Sequence, residues 1–257
     1  MIKFYKYQGT GNDFVMIDNR DQVFDNQNLD LVRKMCDRRF GIGADGLILI
    51  EESDKADFYV NYFNADGSKS FCGNGARCSV AFANFLGMIQ NETQFDAIDG
   101  LHIATIEKDL VYLKMGDVNG IEKGQDYLFC HTGSPHYMRF VEDLKDWDIY
   151  EFGKSIRYSD PYKKEGTNVN LIQEVDEVLH LRTYERGVEN ETYSCGTGAT
   201  AVALAYMYLK GLDQATIPVE VKGGSLQVKA QKKGEGFENI WLIGPGEQVF
   251  EGVWKTI

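Results

Sequence analysis

The stretch CGNGA at residues 72–76 decides the fold, and it returns almost unchanged as CGTGA at residues 195–199. An apolar run follows each copy, at residues 77–86 and at residues 200–210. A glycine turn that leads into a helix places backbone N–H groups and the positive end of the helix dipole beside the cysteine. Such an environment lowers the pKa of a thiol and also holds an anion. The two copies therefore predict two activated thiols, each at the start of a helix.

Both predicted helices are apolar on nearly every side, as Val80 and Phe82 illustrate in the first and Val202 and Leu204 in the second. A helix of that kind is buried in a core. Short β-rich runs predict strands over residues 3–7, 14–18, 47–50, 58–63, 102–106, 111–115, 127–131, 137–141, 169–173, 178–184, 217–221, 226–230, 239–243 and 249–253. One further helix is predicted over residues 28–38. The pattern indicates an α+β chain in which a mostly antiparallel, curled sheet surrounds each central helix.

An internal duplication divides the chain into two similar lobes. The landmarks are GTGNDF at 9–14, GIGADGLI at 41–48 and FNADG at 63–67 in the first half, and GSPHY at 133–137, GTNVNLI at 166–172 and YERG at 184–187 in the second. The first landmark precedes the cysteine by 72 − 9 = 63 positions in one half and by 195 − 133 = 62 in the other. This repetition predicts two pseudo-symmetric lobes, residues 1–118 and 119–257, with a last strand that could return to the N-terminal lobe. The active site is expected where the lobes meet.

Composition narrows the classes of partner. The formal net charge of −12 argues against nucleic acid or an anionic membrane as the main partner, although a local site can still bind an anionic small molecule. The acidic segment at residues 142–148 is expected to be a solvated loop or helix face. The chain starts without the apolar stretch of a signal peptide, and no run approaches the roughly 18 apolar residues of a membrane helix. Because the five cysteines also lack disulfide-framework spacing, we expect a cytoplasmic protein with reduced thiols.

One glycine-rich motif is misleading. Residues 41–46, GIGADG, have the glycine spacing of a dinucleotide-binding loop. That loop needs a strand before it and a helix after it, whereas here the predicted helix precedes it and a strand follows. Cys72 and Cys195 also lack a neighbouring Cys or His with the spacing of a zinc site. The sequence therefore predicts no nucleotide cofactor and no metal.

Five blocks taken together resemble the signature blocks of the diaminopimelate epimerases. They are GTGNDF at 9–14, FNADG at 63–67, CGNGAR at 72–77, YERG at 184–187 and CGTGA at 195–199, and they span nearly the whole chain in the order of that family. The resemblance implies an epimerase of two pseudo-symmetric lobes that needs neither pyridoxal phosphate nor another cofactor. Its substrate would be diaminopimelate, interconverted between the LL and meso forms in lysine and peptidoglycan-precursor biosynthesis. The resemblance also implies a homodimer.

The same resemblance assigns roles to individual residues. It implies that Cys72 and Cys195 are the two bases, and that Glu185 and His136 support catalysis or hold the reacting amino group. The residues that it places around the substrate are Asn12, Asn64, Gly73, Asn74, Ser134, Asn168, Glu185, Arg186, Gly196 and Thr197.

Within that set, the amides of residues 73–74 and 196–197 would surround the reacting carboxylate, and Arg186 would pair with the distal carboxylate. The chain departs from the family at two positions. Gly46 stands where Gln is frequent, and Ser134 stands where Asn is frequent. Both departures concern the distal end of the substrate.

The chemistry of two thiols fits this interpretation independently of the family. Inverting a carbon without redox chemistry removes a proton from one face and delivers another to the opposite face, so two acid–base groups must flank the carbon. A thiol, with a reference pKa of about 8.5, can be tuned to either form. Cys36, Cys78 and Cys130 lie outside the repeated phrase and are expected to be packing residues. Two alternatives stay open: a sister enzyme acting on proline, hydroxyproline or another amino acid, and a non-catalytic thiol module that binds metal or senses redox state.

Overall fold

The structure is a computed structural model that describes residues 1–255 of the chain. The chain divides into two compact units. One unit consists of Met1–Leu113 together with the segment from Gly244 onward, and the other consists of Lys114–Ile243. The sequence places the change of lobe near residue 118, and the strand after Gly244 belongs to the unit in which the chain starts. No helix within residues 1–255 is long and apolar enough to cross a membrane.

The first unit contains eight strands and two helices among its described residues. The strands are β1 (Ile2–Gly9), β2 (Asn12–Asp18), β3 (Gly46–Glu51), β4 (Phe58–Asn64), β5 (Glu92–Ala97), β6 (Gly100–Glu107), β7 (Leu110–Lys114) and, at the end of the chain, β17 (Glu247–Trp254). Their order by pairing is β17-β1-β2-β3-β4-β5-β6-β7, in which β2–β3 and β4–β5 are parallel and the other pairs are antiparallel. Helix α1 (Leu29–Cys36) joins β2 to β3, and helix α2 (Gly73–Phe85) joins β4 to β5.

The second unit is built in the same way. Its strands are β8 (Glu122–Lys123), β9 (Leu128–His131), β10 (Pro135–Phe140), β11 (Asn168–Val175), β12 (Val178–Glu185), β13 (Asn190–Glu191), β14 (Gln214–Val221), β15 (Gly224–Lys233) and β16 (Gly236–Pro245). Their order is β8-β9-β10-β11-β12-β14-β15-β16, with β13 beside the end of β12, and β10–β11 and β12–β14 are parallel. Helix α3 (Ile149–Arg157) joins β10 to β11, and helix α4 (Gly196–Lys210) joins β12 to β14.

The two units therefore repeat one topology. In each, the same two strand pairs are parallel, and a helix is inserted at the same two points of the strand order. The predicted duplication is confirmed, and the chain has a mixed α/β fold with two repeated halves and four α-helices within residues 1–255.

The central helix of each unit is covered by its own strands. Helix α2 contacts β1, β2, β3, β4, β6 and β17, and helix α4 contacts β9, β10, β11, β12, β14 and β15. Both helices begin four residues before the apolar runs from which they were predicted (77 − 73 = 4 and 200 − 196 = 4). The glycines of the repeated phrase therefore form the first helical turn. Before their last turns both helices are buried on nearly every side, which explains why the two sequences are apolar nearly all round.

Helix α3 was not predicted from the sequence, and neither were β5, β8 and β13. The acidic segment at residues 142–148 holds a short 3₁₀ helix, Leu144–Asp146, and ends at Asp148, the residue that caps α3. Gly153 interrupts the apolar pattern of α3 because the helix packs closely on β12. A Cβ at Gly153 would lie 2.4 Å from the side chain of Tyr184.

Candidate active site

The two signature cysteines occupy equivalent positions, each just before a buried helix. Cys72 has φ −136° and ψ 117° at the start of α2, and Cys195 has φ −124° and ψ 107° at the start of α4. Each cysteine carbonyl accepts the first helical hydrogen bond, from the N–H of Ala76 at 2.8 Å and of Ala199 at 2.9 Å. The cysteines therefore lie beside the N–H groups of a first helical turn, where the dipole favours a thiolate or a bound carboxylate.

The turn between β1 and β2 holds Asn12 against the first cysteine. Thr10 and Gly11 both have positive φ, 49° and 87°, as a tight two-residue hairpin turn requires. Directly after the turn, Asn12 Oδ1 accepts hydrogen bonds from Cys72 Sγ at 3.4 Å and from Asn74 Nδ2 at 3.2 Å. This oxygen therefore gives the hydrogen of the Cys72 thiol an acceptor.

A cluster of ion pairs fixes the orientation of the Asn12 amide. Its Nδ2 donates to Asp45 Oδ2 at 2.7 Å, so its Oδ1 faces the cysteine. Arg38 joins Asp45 at 2.6 Å to Asp13 at 2.7 Å, and Lys6 pairs with Asp13 at 2.6 Å. Burial opposes the ionisation of Asp13, but the hydrogen bonds from Arg38 and Lys6 outweigh it and lower the pKa of Asp13 to about 2.

Asn64 lies at the same edge of the first unit as Asn12, because Phe14 pairs with Gly46 and Gly46 pairs with Asn64. A side chain at position 46 has no room here. A Cβ on Gly46 would lie 2.4 Å from Tyr62 Cε2 and 2.6 Å from the carbonyl oxygen of the next residue along β4. The Tyr62 hydroxyl donates to Asn64 Oδ1 at 2.9 Å. At this departure from the family pattern, a tyrosine from the neighbouring strand fills the space and contacts the predicted substrate residue.

Three predicted substrate residues of the second unit contact one another. Asn168 Nδ2 donates to Ser134 Oγ at 3.0 Å, and Asn168 Oδ1 accepts from the backbone N–H of Arg186 at 2.8 Å. The guanidinium of Arg186 donates to Ser134 Oγ at 3.4 Å and to the carbonyl of Glu165 at 2.9 Å. Ser134 is thus held at the other departure position by two neighbours, and the charge of the exposed Arg186 stays accessible to a ligand.

His136 connects the interior of the second unit to its cysteine. The side chain is fully buried, and burial, followed by the nearby His131, lowers the pKa of His136 to about 3. Its Nε2 lies 3.0 Å from Thr197 Oγ1, and that hydroxyl lies 3.5 Å from Cys195 Sγ. A neutral imidazole, a hydroxyl and a thiol therefore form one polar chain.

The remaining predicted residues lie at the ends of the same elements. Gly73 and Gly196 are the first residues of α2 and α4, and Glu185 ends β12, half-buried. Gly198 must lack a side chain. A Cβ there would lie 2.9 Å from Asn170 Oδ1 and 3.3 Å from Cys195 Sγ. The second glycine of the phrase thus lets the helix start pack closely on β11.

The other three thiols are buried and lie outside the repeated phrase. Burial raises the pKa of Cys36, Cys78 and Cys130 to about 12, so all three stay protonated and unreactive near neutral pH. No group of three or more His, Cys, Asp or Glu side chains within residues 1–255 is arranged to hold a metal ion.

Sequence reasoning missed three residues that contact the predicted set: Asp45, Tyr62 and Asn170. Asp45 belongs to the landmark at 41–48, whose GIGADG part has the glycine spacing of a dinucleotide-binding loop. Tyr62 immediately precedes the landmark at 63–67, and Asn170 lies inside the landmark at 166–172. Their closeness to landmark blocks was the available signal, but polar residues in strands are ordinarily solvent-facing or structural.

Comparisons with known proteins point to one family over nearly the whole chain. The sequence model described as diaminopimelate epimerase matches residues 4–121 and 128–245. The diaminopimelate epimerase of Flavobacterium psychrophilum is 51% identical over 253 residues, covering 97% of this chain and 99% of that protein. The diaminopimelate epimerase of Aquifex aeolicus is 39% identical over 272 residues, covering 98% of this chain and 97% of that protein.

Solved structures share the fold at low identity. A phenazine biosynthesis protein of the PhzF family from Bacillus anthracis has a TM-score of 0.78 at 14% identity and covers 98% of both chains. A hydroxyproline epimerase from Agrobacterium vitis has a TM-score of 0.65 at 14% identity, covering 98% of this chain and 90% of that chain. Identities this low show the fold alone. The family model and the curated relatives are more specific, and by their agreement this chain belongs to the diaminopimelate epimerase family.

Proposed function

We propose that this protein interconverts LL- and meso-diaminopimelate without a cofactor, one cysteine thiolate removing the α-proton while the other cysteine thiol delivers a proton to the opposite face. The reaction serves lysine and peptidoglycan-precursor biosynthesis. The observation that carries the proposal is repetition: each half presents a cysteine at the start of its central helix, in nearly the same backbone conformation. A reaction that treats both faces of one carbon alike needs such a matched pair of acid–base groups.

The proposed site for the reacting carboxylate consists of the first-turn amides of residues 73–74 and 196–197. Negative charge grows on this carboxylate as the α-proton leaves, so donors fixed in advance stabilise the transition state more than the ground state. One helix terminus contributes only about 0.3–2 kcal/mol. Because an α-carbon is weakly acidic, we expect both termini and the exclusion of water to act together.

Proton exchange requires one thiol and one thiolate in each direction. With Asn12 Oδ1 in place to accept its hydrogen, Cys72 is proposed to act as the thiol in one direction. When Cys72 delivers its proton, Cys195 must therefore be the thiolate that removes the other one, and the roles exchange in the reverse reaction. Glu185 and His136 are proposed to support this exchange or to hold the reacting amino group.

The distal carboxylate of the substrate is proposed to pair with Arg186. Its guanidinium is exposed and is directed by contacts with Ser134 and with the carbonyl of Glu165. Asn12, Asn64 and Asn168 supply further polar contacts around the substrate. Proline and hydroxyproline have no second carboxylate, so an accessible arginine beside Asn168 favours a dicarboxylic substrate over those of the sister enzymes.

Incubation of the purified protein with LL-diaminopimelate in deuterium oxide tests the proposal. We expect the meso product, with deuterium at the α-carbon. Removing either acid–base group, in Cys72→Ser or Cys195→Ser, should slow the exchange by a factor of about 10²–10⁴. Cys36→Ala is the matched control, because burial keeps that thiol protonated with a pKa of about 12 and its loss should leave exchange intact.

Three outcomes would count against this assignment. The absence of both deuterium at the α-carbon and meso product would overturn it. Exchange with proline or hydroxyproline in place of diaminopimelate would identify a sister enzyme. Stoichiometric zinc in the purified protein, without exchange, would identify the thiol module.

Two further proposals rest on the family rather than on the geometry of the site. We expect the protein to be a homodimer, as members of the family commonly are, and light scattering on the purified protein measures this. We also expect it to work in the cytoplasm, where its thiols stay reduced.

A further inference from the structure

Asn170 is a buried residue of the second unit to which the family resemblance assigns no role. It lies on β11, opposite Thr183 of β12, and its side chain is fully buried. Asn170 Nδ2 lies 2.9 Å from the carbonyl oxygen of Tyr137 and 3.1 Å from His136 Nδ1. Asn170 Oδ1 accepts a hydrogen bond from Thr183 Oγ1 at 3.0 Å.

These contacts fix the orientation of the Asn170 amide. A backbone carbonyl can only accept a hydrogen bond, so the amide atom beside Tyr137 O must be the nitrogen. The same nitrogen faces His136 Nδ1, which has no acceptor within reach among the described residues, so Nδ1 accepts its second hydrogen and carries no proton. Because a neutral imidazole has one N–H and burial keeps this one neutral, the proton of His136 is on Nε2.

The Nε2–H of His136 has one acceptor within reach among the described residues. Nε2 lies 3.0 Å from Thr197 Oγ1 and 3.3 Å from Asn168 Nδ2. Asn168 Oδ1 is occupied by the backbone N–H of Arg186, so the atom that faces His136 is a donor and cannot accept. His136 therefore donates to Thr197. The single hydroxyl hydrogen of Thr197 is then directed to Cys195 Sγ, at 3.5 Å.

We propose that Asn170 is a positioning residue that fixes the tautomer of His136 and thereby directs the Thr197 hydroxyl to donate to the sulfur of Cys195. A donor beside the sulfur stabilises the thiolate. The inference rests on the proposed two-thiol reaction and deepens it. It gives the two cysteines opposite resting preferences, with an acceptor beside Cys72 and a donor beside Cys195.

Nitrogen-15 NMR of the histidine side chains reads the tautomer without any substrate, so its result is independent of whether diaminopimelate reacts. The chain has four histidines, and the signal that disappears in His136→Gln is that of His136. We expect the wild-type protein near neutral pH to hold this imidazole neutral, with its proton on Nε2. A proton on Nδ1, or on both nitrogens, would overturn the proposal, and the tautomer itself is read from the wild-type protein.

Asn170→Asp replaces the donor that faces His136 by an acceptor. We expect the proton of His136 to move to Nδ1, so that the hydroxyl of Thr197 donates back to the imidazole. Alkylation of Cys195 by iodoacetamide, followed by peptide mass spectrometry, should then slow by about ten-fold, which corresponds to a rise of about one unit in the thiol pKa. Alkylation of Cys72 should keep its wild-type rate.

Thr183→Val is the matched control. It removes the other hydrogen bond of Asn170 and leaves the contact with His136, so both the tautomer and the alkylation rate of Cys195 should stay as in the wild type. A general loss of packing would instead change both variants alike. Retention of the Nε2–H tautomer in Asn170→Asp, or its loss in Thr183→Val, would contradict the positioning role.

Discussion

Among single residues, Tyr62 shows how a departure from the family pattern is compensated. Gly46 leaves no side chain at a position where Gln is frequent in the family, and the ring of Tyr62 occupies the space beside it. The hydroxyl of Tyr62 then donates to Asn64 Oδ1 at 2.9 Å. In place of a side chain at position 46, Tyr62 of the next strand thus holds the Asn64 amide in one orientation.

Removal of that hydroxyl should affect binding more than chemistry. A hydrogen bond of this kind contributes about 1 kcal/mol, so Tyr62→Phe should raise KM for diaminopimelate by about five-fold with kcat nearly unchanged. Tyr59→Phe, on the same strand, is the control and should keep the wild-type KM. Steady-state kinetics of the two variants measures the difference. Equal values of KM would show that the hydroxyl does not organise the pocket.

Among the elements, two helices are defined by their ends. Asp148 accepts hydrogen bonds from the N–H groups of Tyr150 and Glu151 at 3.0 and 3.1 Å and so starts α3. Gly211 ends α4 with φ 66°. Residues other than Gly and Asn adopt this left-handed backbone conformation only at a cost in free energy. The α4 end matters for the site because the opposite end of this helix carries Cys195.

Gly211→Ala should therefore destabilise the protein by about 1 kcal/mol, through strain at the positive φ. Gly211→Asn is the matched variant, since Asn tolerates this conformation, and it should cost clearly less. Denaturant unfolding gives both free energies. The same loss in both variants would show that the conformation at the helix end is not the cause.

Across the whole molecule, acidic residues outnumber basic ones, 39 against 27, so carboxylates that depend on partners set the response to acid. The cluster around Asp13 joins four segments of the first unit: Lys6 on β1, Asp13 on β2, Arg38 after α1 and Asp45 before β3. The pKa of Asp13 falls from 3.8 to about 2 in the fold. A carboxyl group whose pKa is lower in the folded state stabilises the fold at pH values above its unfolded-state pKa. This stabilisation is lost as the pH falls towards its folded-state pKa.

Asp13→Asn should thus lower the free energy of unfolding at neutral pH by about 2 kcal/mol, at roughly 1.4 kcal/mol for each unit of pKa shift. The difference from the wild type should shrink between about pH 4 and pH 2, where the wild-type carboxylate becomes protonated. Asp30→Asn, which removes an exposed carboxylate paired with Arg33, is the control and should change little. A difference between Asp13→Asn and wild type that is independent of pH would contradict the assigned ionisation.

The sequence alone predicted the repeated halves, the two central helices and nearly all of the strands, because these depend on local patterns. Glycine spacing before an apolar run, and alternation within short runs, are each read within about ten residues. The catalytic candidates Cys72 and Cys195 belong to this class, since a cysteine at a helix start is a local arrangement. Helix α3 was not predicted, because Gly153 interrupts its apolar pattern where the helix packs closely against Tyr184 on a later strand.

Only the tertiary structure decided how each thiol is surrounded. Asp45 orients the amide of Asn12 from 33 positions away, and Asn170 faces His136 from 34 positions away. Nothing in the local sequence distinguishes these residues from ordinary polar residues of strands and turns. Their roles follow from strand register, which places donors and acceptors from separate segments within about 3 Å of each other. These pairings determine which atom donates and which accepts in each hydrogen bond.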